Sequence, residues 1–372
     1  MSDKHLNIIS FDVPSPPDYG GVIDIFYKIK ALKEQGIKVH LHCFKYGRSE
    51  AANLDLLCEQ VFYYERDVNK NFLFHSLPYV TITRNSEKLI NNLLQNDFPI
   101  LFEGLHCCYH LSDERFKNRV KVVRMHNIEH DYYGGLAKAE RKFFKRYYFK
   151  REAKKLKSFE SILNRANHIL AISPSDVREL SKRYKNVSYI TAFHSNEKVE
   201  IKAGLGKFAL YHGSLEIAEN NEAALFLVNK IFNNISIPLI IAGKKPSTEL
   251  QEAVSKMRHI ELRSHLSTED IFELIRNAQI NILPTFQGTG IKLKLLAALY
   301  HGRYCLVNSL MVANTGLDVL CVVKNTEIEI KQELERCFNE KFDIKEKIKR
   351  EAILLKDFSN LENVKKVIKL LF

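Results

Sequence analysis

Pro284-Thr285-Phe286-Gln287-Gly288-Thr289-Gly290-Ile291-Lys292-Leu293-Lys294-Leu295-Leu296-Ala297-Ala298-Leu299-Tyr300-His301-Gly302 is the stretch on which the reading of this chain turns. The apolar run before it, Ala278 to Leu283, reads as a buried strand, and the apolar segment after the glycines reads as a helix that Gly302 ends. Gly288 and Gly290 let backbone come close to a ligand, and the free N–H groups of the next turn favour an anion there. A lysine in a first helical turn opposes the macrodipole and loses ~0.3–1 kcal/mol, a sign that a bound phosphate reverses. Lys292 and Lys294 are roughly 200° apart around a regular helix, so both face one ligand only if the first turn is irregular. The other reading is a pair of lysines that snorkel to water or pair with carboxylates elsewhere.

Working outward, a chain of 372 residues suits two α/β domains of similar size. No run of about eighteen apolar residues appears, and the start of the chain lacks a signal-peptide core. The seven cysteines are odd in number and form no C-x-x-C pair, which implies a reduced, cytoplasmic protein without a structural zinc site. The net charge of +12 points to anionic partners. No recognisable DNA- or RNA-binding module accompanies it, so nucleic acid is not the expected partner.

Leu6 to Phe11 reads as the first strand of a parallel sheet, followed by a turn-rich loop ending in Gly20-Gly21, a helix from Ile23 to Gln35, and a second strand from Lys38 to Phe44. Gly-Gly is not the G-x-G-x-x-G dinucleotide fingerprint. Ile100–His106 and Val120–His126 are two further strands with polar ends. Open parallel sheets bind ligands at the carboxyl ends of strands, so Glu103, His106, Arg124, His126, Asn127, Glu129 and His130 are candidate site residues. Each histidine taken singly also fits a surface or capping role. H-E-x-x-H is absent and His126 to His130 has the wrong order for zinc, so no catalytic metal is expected.

Lys138 to Lys157 carries ten cations interleaved with Phe143, Phe144, Tyr147, Tyr148 and Phe149. With no proline or glycine in it, one uninterrupted helix is expected. Such a helix either lies on an anionic membrane surface or packs its aromatic face on its own domain. Asn196 to Gly206 reads as a linker, and Phe208 to Leu215 restarts the strand-loop-helix grammar. No Walker loop is present. Pro238 to Gly243 is another strand, and Ser267 opens a capped helix.

The Gly288–Ala298 stretch resembles the donor-site motif of retaining GT-B glycosyltransferases, the family-4-like (glycosyltransferase group 1) branch with Gly-Ser/Thr-Gly-x-Lys-x-Lys-x-Leu-Glu-Ala. Gly288, Thr289, Gly290, Lys292, Lys294, Leu296 and Ala298 match; Ala297 stands where that family carries a glutamate that holds the ribose. The resemblance implies an α/β GT-B fold: two Rossmann-like domains with parallel sheets facing across a cleft. Their expected spans are 1–198, 199–356, and a last helix, 357–372, that returns to the first domain. It implies transfer of a sugar from a nucleotide-sugar to a glycan or lipid-linked acceptor, with retention, in surface polysaccharide or glycoconjugate biosynthesis. Donor contacts are implied for Gly20, Gly21, Gly213, Ser214, Gly243, Gly288, Thr289, Gly290, Lys292 and Lys294. His126 and Lys292 are implied in catalysis, and Glu103, His106, Asn127, Glu129 and His130 on the acceptor side. No cofactor or metal is implied. The location expected is cytoplasmic, with attachment to the inner face of the plasma membrane through 138–157. The alternatives are a non-catalytic GT-B partner in a glycosylation complex, suggested by Ala297, and a sugar-nucleotide epimerase.

Overall fold

The computed structural model describes residues 3–286 and 292–372. The chain divides into two compact units: residues up to 195 together with 358–372, and the intervening chain from 196 to 357. In the first unit seven strands form one sheet. They are β1 (His5–Ser10), β2 (Lys38–Lys45), β3 (Gln60–Glu65), β4 (Ile100–Glu103), β5 (Lys121–Met125), β6 (His168–Ala171) and β7 (Val187–Tyr189). Their order is β3-β2-β1-β4-β5-β6-β7, and every pairing is parallel. The second unit repeats the plan with β8 (Ala209–His212), β9 (Leu239–Ala242), β10 (Ile260–Arg263), β11 (Ile280–Ile282), β12 (Tyr304–Val307) and β13 (Val322–Val323), in the order β10-β9-β8-β11-β12-β13. Both are Rossmann-like, and each reverses its strand order at one place: between β1 and β4, and between β8 and β11.

The central strands are buried on both faces, so they read as continuous apolar runs rather than as alternating patterns. One face of the first sheet is covered by the Gly20–Glu34 helix through Ile25, Ile29 and Leu32. The last helix, Asn360–Leu371, joins the same cluster with Val364, Val367 and Leu371, all essentially buried. Ser359 caps it by accepting from the Glu362 N–H, and the side chain of Asn360 donates to the His194 carbonyl.

Three local expectations are corrected. Gly20 and Gly21 begin the first helix instead of ending a loop. A Cβ at Gly21 would lie 2.6 Å from Phe11 Cζ, so glycine lets the helix start press on that ring. The basic stretch is two helices, Glu129–Ala139 and Phe143–Phe159, because Glu140 and Lys142 adopt extended ψ values of 126° and 119°. Glu140 Oε1 accepts the Lys142 N–H at the break. Residues 196–206 are more than a linker: the Glu200 N–H donates to Tyr300 O, and Gly204 bridges Phe342 within the second unit.

Ile29→Ala should cost about 2–5 kcal/mol, since Ile29 is fully buried among both helices and the sheet. Urea unfolding of the two proteins measures this.

Candidate functional site

Charged side chains converge inside the first unit, under the β1/β4 reversal. Asp24 and Lys28 lie one turn apart on the first helix, and both are fully buried. Lys28 Nζ donates to Asp24 Oδ2 at 2.9 Å and to Glu103 Oε1 at 2.7 Å. Arg124, from β5, donates to both oxygens of Asp24, at 3.2 and 2.9 Å, and to the carbonyls of Ile190 and Thr191. The Phe193 N–H completes the shell of Asp24 at 2.8 Å. Burial alone would raise the Asp24 and Glu103 pKa values. The Arg124 and Lys28 cations prevail at Asp24, as Lys28 and His126 do at Glu103, and hold both carboxyls below their ordinary values. Arg124 is therefore a structural cation and leaves the set of ligand-facing candidates.

His126, one residue past β5, donates through Nε2 to Glu103 Oε2 at 3.0 Å. Its Nδ1 lies 3.9 Å from Asp24 Oδ2 and has no hydrogen bond among the described residues. Glu103 thus orients the ring. Phe11 packs edge-on to His126 and tilted against His106. His106 Nε2 is 3.7 Å from Glu129 Oε2, and burial pushes the His106 imidazole well below its usual value. Glu129 opens the Glu129–Ala139 helix and is buried; burial drives its pKa up to about 8, with Arg84 opposing and Glu160 reinforcing. His130 turns away, donating to Glu160 Oε2 at 2.9 Å. Asn127 is half-buried beside them. The structure therefore brings Glu103, His106, His126 and Glu129 together and separates His130 from them. Asp24, Glu103 and His126 form a set that could ligate a cation, but Lys28 Nζ already lies between the two carboxylates.

The second unit carries the other half of the expected site, at the carboxyl edge of β8, β9 and β11. Gly213 follows β8 and Gly243 follows β9; a Cβ at Gly243 would lie 1.9 Å from Gly213 O, so only glycine permits that approach. Ser214 offers its hydroxyl to Glu216 Oε1 at 3.4 Å, and its carbonyl accepts from Asn220 Nδ2. Gly288, Thr289 and Gly290 lie outside the described residues. Lys292 is the N-cap of the Leu293–His301 helix, with φ −89° and ψ 50°. This is the irregular first turn that the two-residue lysine spacing requires, and both lysines now feel one carboxylate, Glu219. Lys294 Nζ donates to Asn220 Oδ1 at 2.8 Å and sits 5.3 Å over the Tyr211 ring. Burial lowers both lysines, Lys294 to about 8, while Glu219 opposes the shift.

Sequence reasoning gives Glu219 and Asn220, which follow Gly213, no role of their own and does not single out Thr285 and Asn308. Thr285 is fully buried and donates its hydroxyl to Glu219 Oε1; Asn308 grips the Thr285 backbone at both its N–H and C=O. Glu219 stands in the first turn of the Ala218–Phe226 helix, a stabilising place for an anion that sequence alone could have flagged. Ala297 packs against an apolar cluster with Leu210, Ile240, Leu274 and Ile275. A carboxylate there would meet hydrocarbon.

Solved structures share this architecture across the chain. A glycosyltransferase from Rickettsia africae aligns with 13% identity over 100% of this chain and 98% of its own, with a TM-score of 0.68. HepE of Anabaena, in complex with UDP and glucose, aligns with 11% identity, 98% of each chain and a TM-score of 0.63. A mutant TarM of S. aureus, in complex with Fondaparinux, alpha-GlcNAc-glycerol and UDP, aligns with 10% identity, 99% of each chain and a TM-score of 0.65. The fold is GT-B. In sequence, an uncharacterised 44.6 kDa protein in the cps region of Klebsiella pneumoniae is 26% identical over 343 residues, 86% of this chain and 87% of that protein. No family model matches the sequence. The two Rossmann-like units described above are thus the two halves of a GT-B chain, with the histidine cluster in the first and the lysine cluster in the second.

Two predictions follow from the buried charges. Asp24→Ala leaves buried Arg124 without its carboxylate and Lys28 with Glu103 alone, and should cost about 3–5 kcal/mol in denaturant unfolding. Glu129 has a raised folded pKa, so its stabilising contribution is full below its unfolded value and is lost as pH rises through about 8. Glu129→Gln should remove that loss, so the thermal midpoint of the variant relative to wild type should rise between pH 5 and 9.

Proposed function

We propose that this protein is a glycosyltransferase. It moves a sugar from a nucleotide-sugar to a glycan or lipid-linked acceptor with retention at the anomeric carbon, in surface polysaccharide biosynthesis. The observation that carries this reading is the second unit's cluster: two half-buried lysines beside glycines that admit close backbone approach, at the reversal of a parallel sheet. Such a site is built for an anion, and the UDP complexes of HepE and TarM favour a nucleoside diphosphate as that anion. The relative's place in a cps region supports polysaccharide synthesis as the setting.

In the reaction the bond between the anomeric carbon and the diphosphate oxygen breaks. An acceptor hydroxyl oxygen bonds to that carbon on the same face, and its proton passes to an oxygen of the departing diphosphate. Lys292 and Lys294 neutralise the charge that develops on the departing diphosphate, in place of a metal ion. Gly213 and Gly243 leave room for the phosphates at the backbone, and Ser214 offers a hydroxyl beside them. His126, held by Glu103, lies on the sugar side, and His106 with Glu129 lines the acceptor side. Gly20 and Gly21 open the first helix next to Phe11 and serve the donor from there. Ala297 removes one grip on the nucleoside, which places the weight of donor binding on the diphosphate.

Lys294→Ala should weaken nucleoside diphosphate binding tenfold to a hundredfold at pH 7, the loss of about 1.5–3 kcal/mol for a charge-assisted hydrogen bond. In wild type the affinity should fall as pH rises through about 8, where Lys294 loses its proton, and the variant should lack that dependence. Calorimetry at pH 7 and 9 on folded protein decides both. Unchanged affinity in the variant overturns the donor site. Slow sugar release from the donor without acceptor separates a transferase from a silent binding protein and from an epimerase, which interconverts the sugar.

A further inference from the structure

The helix Phe143–Phe159 is divided lengthwise in a way that the sugar-transfer reading does not use. Its inner face is anchored. Phe149 packs edge-on to Tyr133, Leu156 is fully buried, and buried Glu152 accepts from the Tyr79 N–H and from Lys155 Nζ. Its outer face, at the N-terminal end, is bare: Phe143, Phe144 and Tyr147 are 75%, 85% and 58% exposed. Phe143 and Phe144 also pack edge-to-face on each other, so they form one aromatic knob. Between 141 and 151 stand six cations, Arg141, Lys142, Lys145, Arg146, Lys150 and Arg151, all exposed, with no acidic residue among them.

Two features of this end have no counterpart among the described residues. Large exposed rings side by side gain nothing from water. The first turn of the helix contains no acid, so its N-terminal dipole and the surrounding lysines and arginines act with the same sign. An anionic surface with an apolar layer beneath it satisfies both at once: headgroup phosphates meet the cations and the free N–H groups, and the rings enter the acyl boundary. A second copy of this chain meets the aromatic knob but sets six cations against six, and charge complementarity rejects it.

We propose that the start of the Phe143–Phe159 helix is a docking site for an anionic lipid bilayer, with Phe143, Phe144 and Tyr147 inserted and Lys142, Lys145, Arg146 and Lys150 on the headgroups. The break at Glu140–Lys142 serves this role, because it ends the preceding helix and leaves the aromatic tip projecting. The site is independent of the donor cluster and of the activity assigned to it.

The test is co-sedimentation of the full chain with phosphatidylglycerol and with phosphatidylcholine vesicles. Wild type should pellet with phosphatidylglycerol at low salt, stay in solution with phosphatidylcholine, and release as salt shortens the screening length. Phe143→Ser/Phe144→Ser should weaken binding about tenfold, and Lys142→Glu/Lys145→Glu/Arg146→Glu should abolish it, with thermal midpoints unchanged because every altered side chain is exposed. Five results overturn the proposal. Wild type stays in the supernatant, or the serine variant pellets as wild type does. Inorganic phosphate at matched ionic strength displaces the protein from vesicles, which marks a simple anion site. Single-stranded RNA binds in preference to vesicles, or sedimentation equilibrium shows a dimer that the serine variant dissolves while neither binds lipid.

Discussion

Asp24 is the carboxylate on which the first unit depends. It sits without water on a helix that must cover an apolar sheet, and four groups come to it: Lys28 one turn along and, from distant parts of the chain, Arg124, the Phe193 N–H and, at longer range, His126. Arg124 passes the connection on to the carbonyls after β7, and Lys28 passes it to Glu103 at the end of β4. One charge therefore ties the first helix to the sheet's central strands and to the segment that closes it. Such a network adds little net stability over hydrocarbon, but its geometry is unforgiving. It holds Glu103 in place, Glu103 orients His126, and the site inherits its precision from the core.

The second unit solves a different problem. Its two lysines are half-buried, and burial lowers both, Lys294 to about 8. Glu219 moderates this. It opposes the loss of charge from both lysines and is itself held by Thr285, which Asn308 fixes. Lys292, Lys294 and Glu219 thus share one edge of the second sheet. Ala297, on the same helix, packs instead against the apolar cluster of Leu210, Ile240, Leu274 and Ile275.

Much was legible in the residues alone. The strand-loop-helix repeats gave the α/β class because strands buried on both faces are continuously apolar, and that signal is local. Gly243 and the Lys292/Lys294 pair stood out for the same kind of reason: a residue without Cβ, or a charge at a helix start, announces an unusual backbone or partner. The irregular turn at Lys292 could be stated as a condition, since helix periodicity forbids the alternative.

Other features belong to the tertiary structure. Asp24 and Lys28 look like an ordinary solvated pair one turn apart; their burial rests on Glu103, Arg124 and Phe193, which are 75 to 169 residues away. The break at Glu140–Lys142 has no proline or glycine to signal it, because it is set by which rings find partners. Tyr133 receives Phe149, while Phe143 and Phe144 are left outside. Glu219 reaches Thr285 only once β8 and β11 lie side by side. Sequence by itself determined the period, the glycines and the charges. Only folding decided which charges lost their water, because desolvation depends on neighbours that are distant along the chain.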